Sequence, residues 1–273
     1  GSVCTEQAYR GMGLASDLVE SIIQQAVAEG LVMMLISGGS NVYRRLGAAD
    51  TGDFLRVEAD REQISNLREA AVDWPPHSAA EMRLASEDDV PALASIYRRE
   101  PVRYVRSVSD FRELSWQRPD VLRLGSLERT WVGGLACGDL AYIIVRIRKS
   151  DDGGTRLHVA EFAGARWCAL QLVAHACAEY DPDMLTITVP ASDLEMAALL
   201  HQTGLTLHRV GLLGHTVMSL DDRALLECVR PIMDERFSDD WTTPNLPPAG
   251  PELIRWLFTD LRIPLPVPGL NYV

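Results

Sequence analysis

Gly11 and Gly13 stand two residues apart in the run Tyr9-Arg10-Gly11-Met12-Gly13-Leu14-Ala15-Ser16. Two such glycines let an anion approach the backbone with no Cβ in the way. For that chemistry the run needs a strand before it and a helix start after it. The short stretch Ser2-Val3-Cys4-Thr5 reads as the strand. Behind the glycines, Leu14, Leu18, Ile22 and Val27 recur on one helical stripe, with Ile23 and Ala26 beside them. The first amides of such a helix lack intrahelical acceptors, and the macrodipole adds roughly half a positive charge there. Taken alone, these residues describe an ordinary βα turn as readily as a phosphate site.

Gly30 stops this helix, and Leu31-Val32-Met33-Met34-Leu35-Ile36 is an apolar run of buried-strand length. Next comes Ser37-Gly38-Gly39-Ser40-Asn41-Val42-Tyr43-Arg44-Arg45-Leu46-Gly47. Residues 1–49 as a whole resemble the core of the GNAT (GCN5-related) N-acetyltransferase superfamily. That family's pyrophosphate signature, Arg/Gln-x-x-Gly-x-Gly/Ala, is matched by Arg10, Gly13 and Ala15, and its Asn-x-Tyr-x-x-x-Gly segment by Asn41, Tyr43 and Gly47. A complete domain of that family carries further strands and helices upstream, so the expectation is a chain that begins inside the domain.

Composition sets the bounds. The 273 residues suffice for two modest domains, with 47% hydrophobic and 23% charged residues as in ordinary globular proteins. A formal charge of −12 argues against a nucleic-acid partner and leaves room for cationic amines. Cys4, Cys137, Cys168, Cys177 and Cys228 form no Cys-x-x-Cys pair, and the six histidines show no ligand spacing, so neither a disulfide framework nor a metal site is expected. A reducing cytoplasm is the expected compartment. No apolar run approaches the roughly 18 residues of a membrane span.

The remaining chain repeats the pattern. Phe54-Leu55-Arg56-Val57 reads as a strand, and Asp73-Trp74-Pro75-Pro76-His77-Ser78 as a linker. From Met82 onward the order is strand, two helices (one opened by a Ser86/Asp89 capping box), a hairpin turned at Asp151-Asp152-Gly153-Gly154, a helix over 165–179, a strand over 185–189, a helix over 193–202 and two strands over 206–220. The expected fold is therefore α/β, an α+β mixed sheet of the GNAT acyl-CoA N-acyltransferase type. It divides into the C-terminal half of a catalytic domain (1–78), a degenerate second copy (81–220) and an appendage (221–273). In the second copy the phosphate turn, Phe162-Ala163-Gly164-Ala165-Arg166-Trp167, lacks the signature. The appendage holds a helix over 222–237, a short one near 251–258 and a proline-alternating arm, 263–273, that neither helix nor central strand accommodates. Tandem copies followed by an appendage resemble the enhanced intracellular survival type of acetyltransferase.

The resemblance implies acetyl transfer from acetyl-CoA to a small-molecule or peptide amine, without a metal. Val3, Cys4 and Thr5 would offer backbone groups to the pantetheine and acetyl carbonyl. Gly11, Met12, Gly13, Leu14, Ala15 and Ser16 would hold the pyrophosphate by their amides, with Arg10 as charge partner. Tyr43 would be the acid that protonates the departing thiolate, which a phenol with a pKa near 10 can do. Asn41 would cap the helix bearing Tyr43 and touch the cofactor. The base is unassigned; the terminal carboxylate of Val273 is one candidate. The alternative is a non-catalytic GNAT-derived scaffold whose second copy and arm mediate dimerisation or partner binding, a homo-oligomer among the possibilities.

Overall fold

The computed structural model describes residues 4–37, 39–72, 81–116, 126–134, 140–151, 153–211, 214–237 and 249–267. The expected linker at 73–78, Val3 and Val273 lie outside them. The chain forms two compact units that interleave along the sequence: residues 1–53 with 211–263, and residues 54–210 with 264–273. These cut across the expected divisions 1–78, 81–220 and 221–273.

The first unit contains α1 (Leu14–Ala28), β1 (Met33–Ser37) and α2 (Asn41–Arg45). From the far end of the chain come β9 (His215–Ser219), α8 (Asp222–Phe237) and α9 (Pro251–Arg255), which runs on into a π-helical turn, Trp256–Asp260. β1 pairs antiparallel with β9 from Met33↔Ser219 to Ser37↔His215. Ile36, Ala48 and Met218 form its small buried cluster, with Ile23, Tyr43 and Leu46 packed against it. Thr51 ties in the C-terminal helices: its hydroxyl donates to the Ile254 carbonyl at 3.3 Å and shares a 3.0 Å bond with Thr259. The helical stripe expected to be buried is not. Leu14, Leu18, Ile22 and Val27 are 43–50% exposed, and α1 buries Val19 and Ala26 instead. A two-stranded sheet is too narrow to cover both flanks of the helix.

The second unit is built on a seven-stranded sheet. Its order is β3 (Glu81–Leu84), β4 (Ser126–Gly134), β5 (Leu140–Lys149), β6 (Thr155–Gly164), β7 (Met184–Pro190), β2 (Phe54–Asp60) and β8 (His208–Val210). Every neighbouring pair is antiparallel except β6–β7. β5 shows why the sheet reads as continuously apolar. Ala141, Ile143, Val145 and Ile147 join one core, and Tyr142 and Ile144 the other, because helices cover both faces. On the first face lie α3 (Arg61–Val72), α6 (Arg166–Tyr180) and α7 (Leu194–Gln202); on the second lie α4 (Val90–Tyr97) and α5 (Val108–Trp116). The Ser86/Asp89 capping box forms as its spacing predicts. α3 was not expected, although Asp60 and Gln63 bond reciprocally through side chain and backbone amide at 3.0 and 3.1 Å, a capping box of their own.

His158 on β6 gives this sheet a pH dependence. Burial, then Arg146 and Arg56, lower its pKa from 6.5 to about 4. The folded chain thus keeps the imidazole neutral while the unfolded chain takes up a proton below about pH 6.5. Stability from this group is complete above pH 6.5, falls between pH 6.5 and 4, and is level below. At 1.36 kcal/mol per unit, unfolding free energy should drop by about 2 kcal/mol between pH 7 and 4.5. In urea unfolding across that range the free energy of His158→Leu should fall by about 2 kcal/mol less than that of the unaltered chain; an equal fall contradicts the assignment.

Candidate functional site

In the first unit the chain approaches the glycine run through a 3₁₀ turn, Gln7–Tyr9, and not through a strand. Cys4, Thr5 and Glu6 have no regular structure, which corrects the expected strand over 2–5 for its described residues. The Thr5 carbonyl accepts from the Arg10 side chain, whose Nε donates to it at 3.3 Å.

Arg10 is extended and exposed, and Gly11 (φ 84°) and Gly13 (φ 83°) are both left-handed. That conformation, rather than crowding, selects glycine: a Cβ on Gly11 would meet nothing within 4 Å. Gly13 is the N-cap of α1 and has no side chain to satisfy the first turn. The first backbone bonds of the helix are those of Ser16 and Asp17, at 2.8 and 3.1 Å to the Gly13 carbonyl. The amides of Leu14 and Ala15 precede them, so the turn fits an anion bound through backbone N–H groups. Asp17, also in the first turn, opposes such an anion by its charge.

Tyr43 lies in the middle of α2, half-buried against Ile36, Ala48 and Met218. α2 touches α1, so the phenol-bearing helix sits beside the helix that the glycine turn opens. The cap of α2 is Ser40, whose hydroxyl accepts from the Val42 amide at 3.3 Å. Asn41, expected as the cap, is instead the first helical residue and is exposed. Arg44 anchors the helix; it donates twice to Asp50 at 2.8 Å and also to the Gly39 carbonyl. Its guanidinium holds the Asp50 carboxyl below the ordinary carboxylate range.

The one parallel pair of the seven-stranded sheet, β6 and β7, lies in the second unit. β6 and β7 pair from Arg156↔Met184 to Val159↔Ile187 only, while both strands continue beyond, so they splay. A cavity of about 50 Å³ lies in the opening, bordered by Glu161, Phe162, Thr188 and Pro190 together with Pro266 and Val267 of the arm. Beneath it, Glu161 accepts two bonds from Arg106, at 2.9 and 2.8 Å, and one from the Tyr142 hydroxyl at 2.8 Å. Burial pushes the Tyr142 hydroxyl well above its ordinary pKa, with the Glu161 charge adding to the shift, so it stays protonated and donates. Among the described residues no group of three His, Cys, Asp or Glu could hold a metal ion. None of their helices is long and apolar enough to cross a membrane.

No family model and no curated protein matches the sequence. Solved structures do match the fold. A GCN5-related N-acetyltransferase from Anabaena variabilis superposes with a TM-score of 0.53 at 14% identity, over 78% of this chain and 52% of its own. One from Kribbella flavida gives 0.52 at 15% identity, over 83% and 53%. A conserved protein of unknown function from Enterococcus faecalis, described as a probable N-acyltransferase, gives 0.56 at 13%, over 83% and 55%. The fold is that of the GNAT acetyltransferases, a mixed α/β architecture. The chain spans just over half the length of these structures.

Proposed function

We propose that this chain carries the coenzyme A pyrophosphate turn and the acid of an acetyl-CoA-dependent N-acetyltransferase of the tandem-GNAT type, similar to the enhanced intracellular survival enzymes. The observation that carries the reading is the first turn of α1. Two left-handed glycines and an uncapped helix start open α1, and α1 touches the helix that bears Tyr43. Acetyl-CoA, when bound, supplies the thioester; the amides around Gly11–Ser16 hold its pyrophosphate and Arg10 balances the charge. Tyr43 gives its proton to the departing thiolate, and Asn41, at the start of the same helix, touches the cofactor. The acceptor is an amine of a small molecule or peptide, and the place of action is the cytoplasm.

Tyr43→Phe tests the acid. Thiol release from acetyl-CoA by the intact protein should fall by about 10² to 10⁴ in kcat with KM for acetyl-CoA unchanged. Unchanged kcat across the pH range removes Tyr43 from the chemistry. A second reading, a non-catalytic scaffold that assembles as a homo-oligomer, is favoured by the irregular Cys4–Glu6 segment where the fold calls for a strand. It predicts no thiol release by either form.

A further inference from the structure

The start of α6 is the counterpart, in the second unit, of the start of α1, and it differs in what lies on it. Gly164 is left-handed (φ 97°), Ala165 is the N-cap without a capping side chain, and the helix begins at Arg166. Across this turn lies the carboxylate of Glu100. Its Oε1 accepts from the Gly164 amide at 2.8 Å and from Arg166 Nη1 at 2.8 Å, and its Oε2 accepts from Arg166 Nη2 at 2.6 Å. Arg166 also donates from Nε to Asp193 at 2.7 Å and from Nη1 to the Gly164 carbonyl at 2.9 Å. The side chains of Glu100 and Arg166 are each 12% exposed. An open cavity of about 320 Å³ borders the same atoms, with Arg99, Glu100, Gly164, Ala165 and Arg166 in its wall.

We propose that this turn is a second anion site, for phosphate-type groups, which the chain keeps filled with its own Glu100 carboxylate. Three observations combine in it. A backbone amide and a bidentate guanidinium converge on one point, which is the donor set a phosphate oxygen would meet. The occupant is already an anion. And the cavity leaves room for a larger anion beside it. The charges explain why the site is closed. Of the residues lining the cavity, Arg99 and Arg166 are cationic and Glu100 is anionic, so the lining carries one net positive charge with Glu100 seated and two without it, and Asp193, bonded to Arg166 Nε, offsets one of them from outside the lining. Asp193 is committed elsewhere as well, since its Oδ1 caps α7 through the Met196 amide at 3.1 Å. An internal ligand held in bidentate geometry outcompetes a free anion at millimolar concentration, because its effective concentration is higher. On this view the second copy is silent because Glu100 is seated in it, beyond any effect of the missing signature.

The test uses inorganic pyrophosphate as probe and the Gly164 amide resonance as reporter. In the unaltered chain that resonance should not move with millimolar pyrophosphate. In Glu100→Ala, and more weakly in Glu100→Gln, it should shift saturably, with affinity at least about tenfold above that of the unaltered chain. Adding Arg166→Met to Glu100→Ala should abolish the gain. The proposal is overturned if Glu100→Ala gains nothing, if the gain survives Arg166→Met, or if the unaltered chain already shows a saturable Gly164 shift. That last measurement needs no variant and so stands even where a substitution destabilises the unit.

Discussion

Arg106→Met should lower the unfolding free energy of the second unit by about 3 to 5 kcal/mol. Arg106 and Glu161 are 3% and 7% exposed, and the guanidinium lies 4.3 Å from the centre of the Tyr97 ring. Removing the arginine leaves a carboxylate without its counter-charge in an apolar surround of Phe111, Ile144 and Ala160. The double variant Arg106→Met/Glu161→Met takes out both charges and should recover much of the loss, well short of the sum of the single effects. Urea unfolding of the two singles and the double checks this. A single Arg106→Met costing under about 1 kcal/mol would mean that Glu161 reaches water and that the buried network is not closed.

Gly164→Ala carries the second large effect, for a steric reason. A Cβ there would sit 2.1 Å from the Leu140 carbonyl oxygen and 2.8 Å from the Ala141 Cα. Those are backbone atoms of the neighbouring strand, and Leu140 is held further by the Ala165 amide at 3.1 Å. With left-handed strain added to the clash, the expected loss is about 3 to 5 kcal/mol. Gly153 is the matched control: it too has positive φ, at 85°, but a Cβ there meets nothing within 4 Å. Gly153→Ala should cost only about 1 kcal/mol. Similar losses at the two positions would show that backbone conformation, and not close approach of β5 and β6, sets the requirement.

Much of the local structure can be read in the sequence because it depends on local patterns. Gly11 and Gly13 mark the turn, the 3.6-residue period marks α1, and the stretch from Met82 onward shows its strand and helix order. Non-local pairing is not written locally. Nothing in Phe54-Leu55-Arg56-Val57 says that β2 will lie between β7 and β8, or in His215–Ser219 that β9 will pair with β1, since alternation fixes a face and not a partner. The exposure of Leu14, Leu18, Ile22 and Val27 follows from that division, because the period of a stripe cannot tell what covers it. At α2 the miss was one residue: Ser40 and Asn41 are adjacent and both are good caps. The Glu100–Gly164 contact spans 64 residues and no spacing rule reaches it. The helix after β2 has its own local signal in the capping pair Asp60 and Gln63, with Ile64 and Leu67 buried on one face.

The turn at Gly11–Ser16 bears the weight of the functional reading, and calorimetry with acetyl-CoA tests it most directly. The account predicts micromolar binding at one site per chain, the second turn being filled by Glu100. Gly13→Trp, which puts a large side chain at the left-handed N-cap of α1, should abolish that binding. Absence of binding by the unaltered chain, or binding that Gly13→Trp leaves intact, would contradict it.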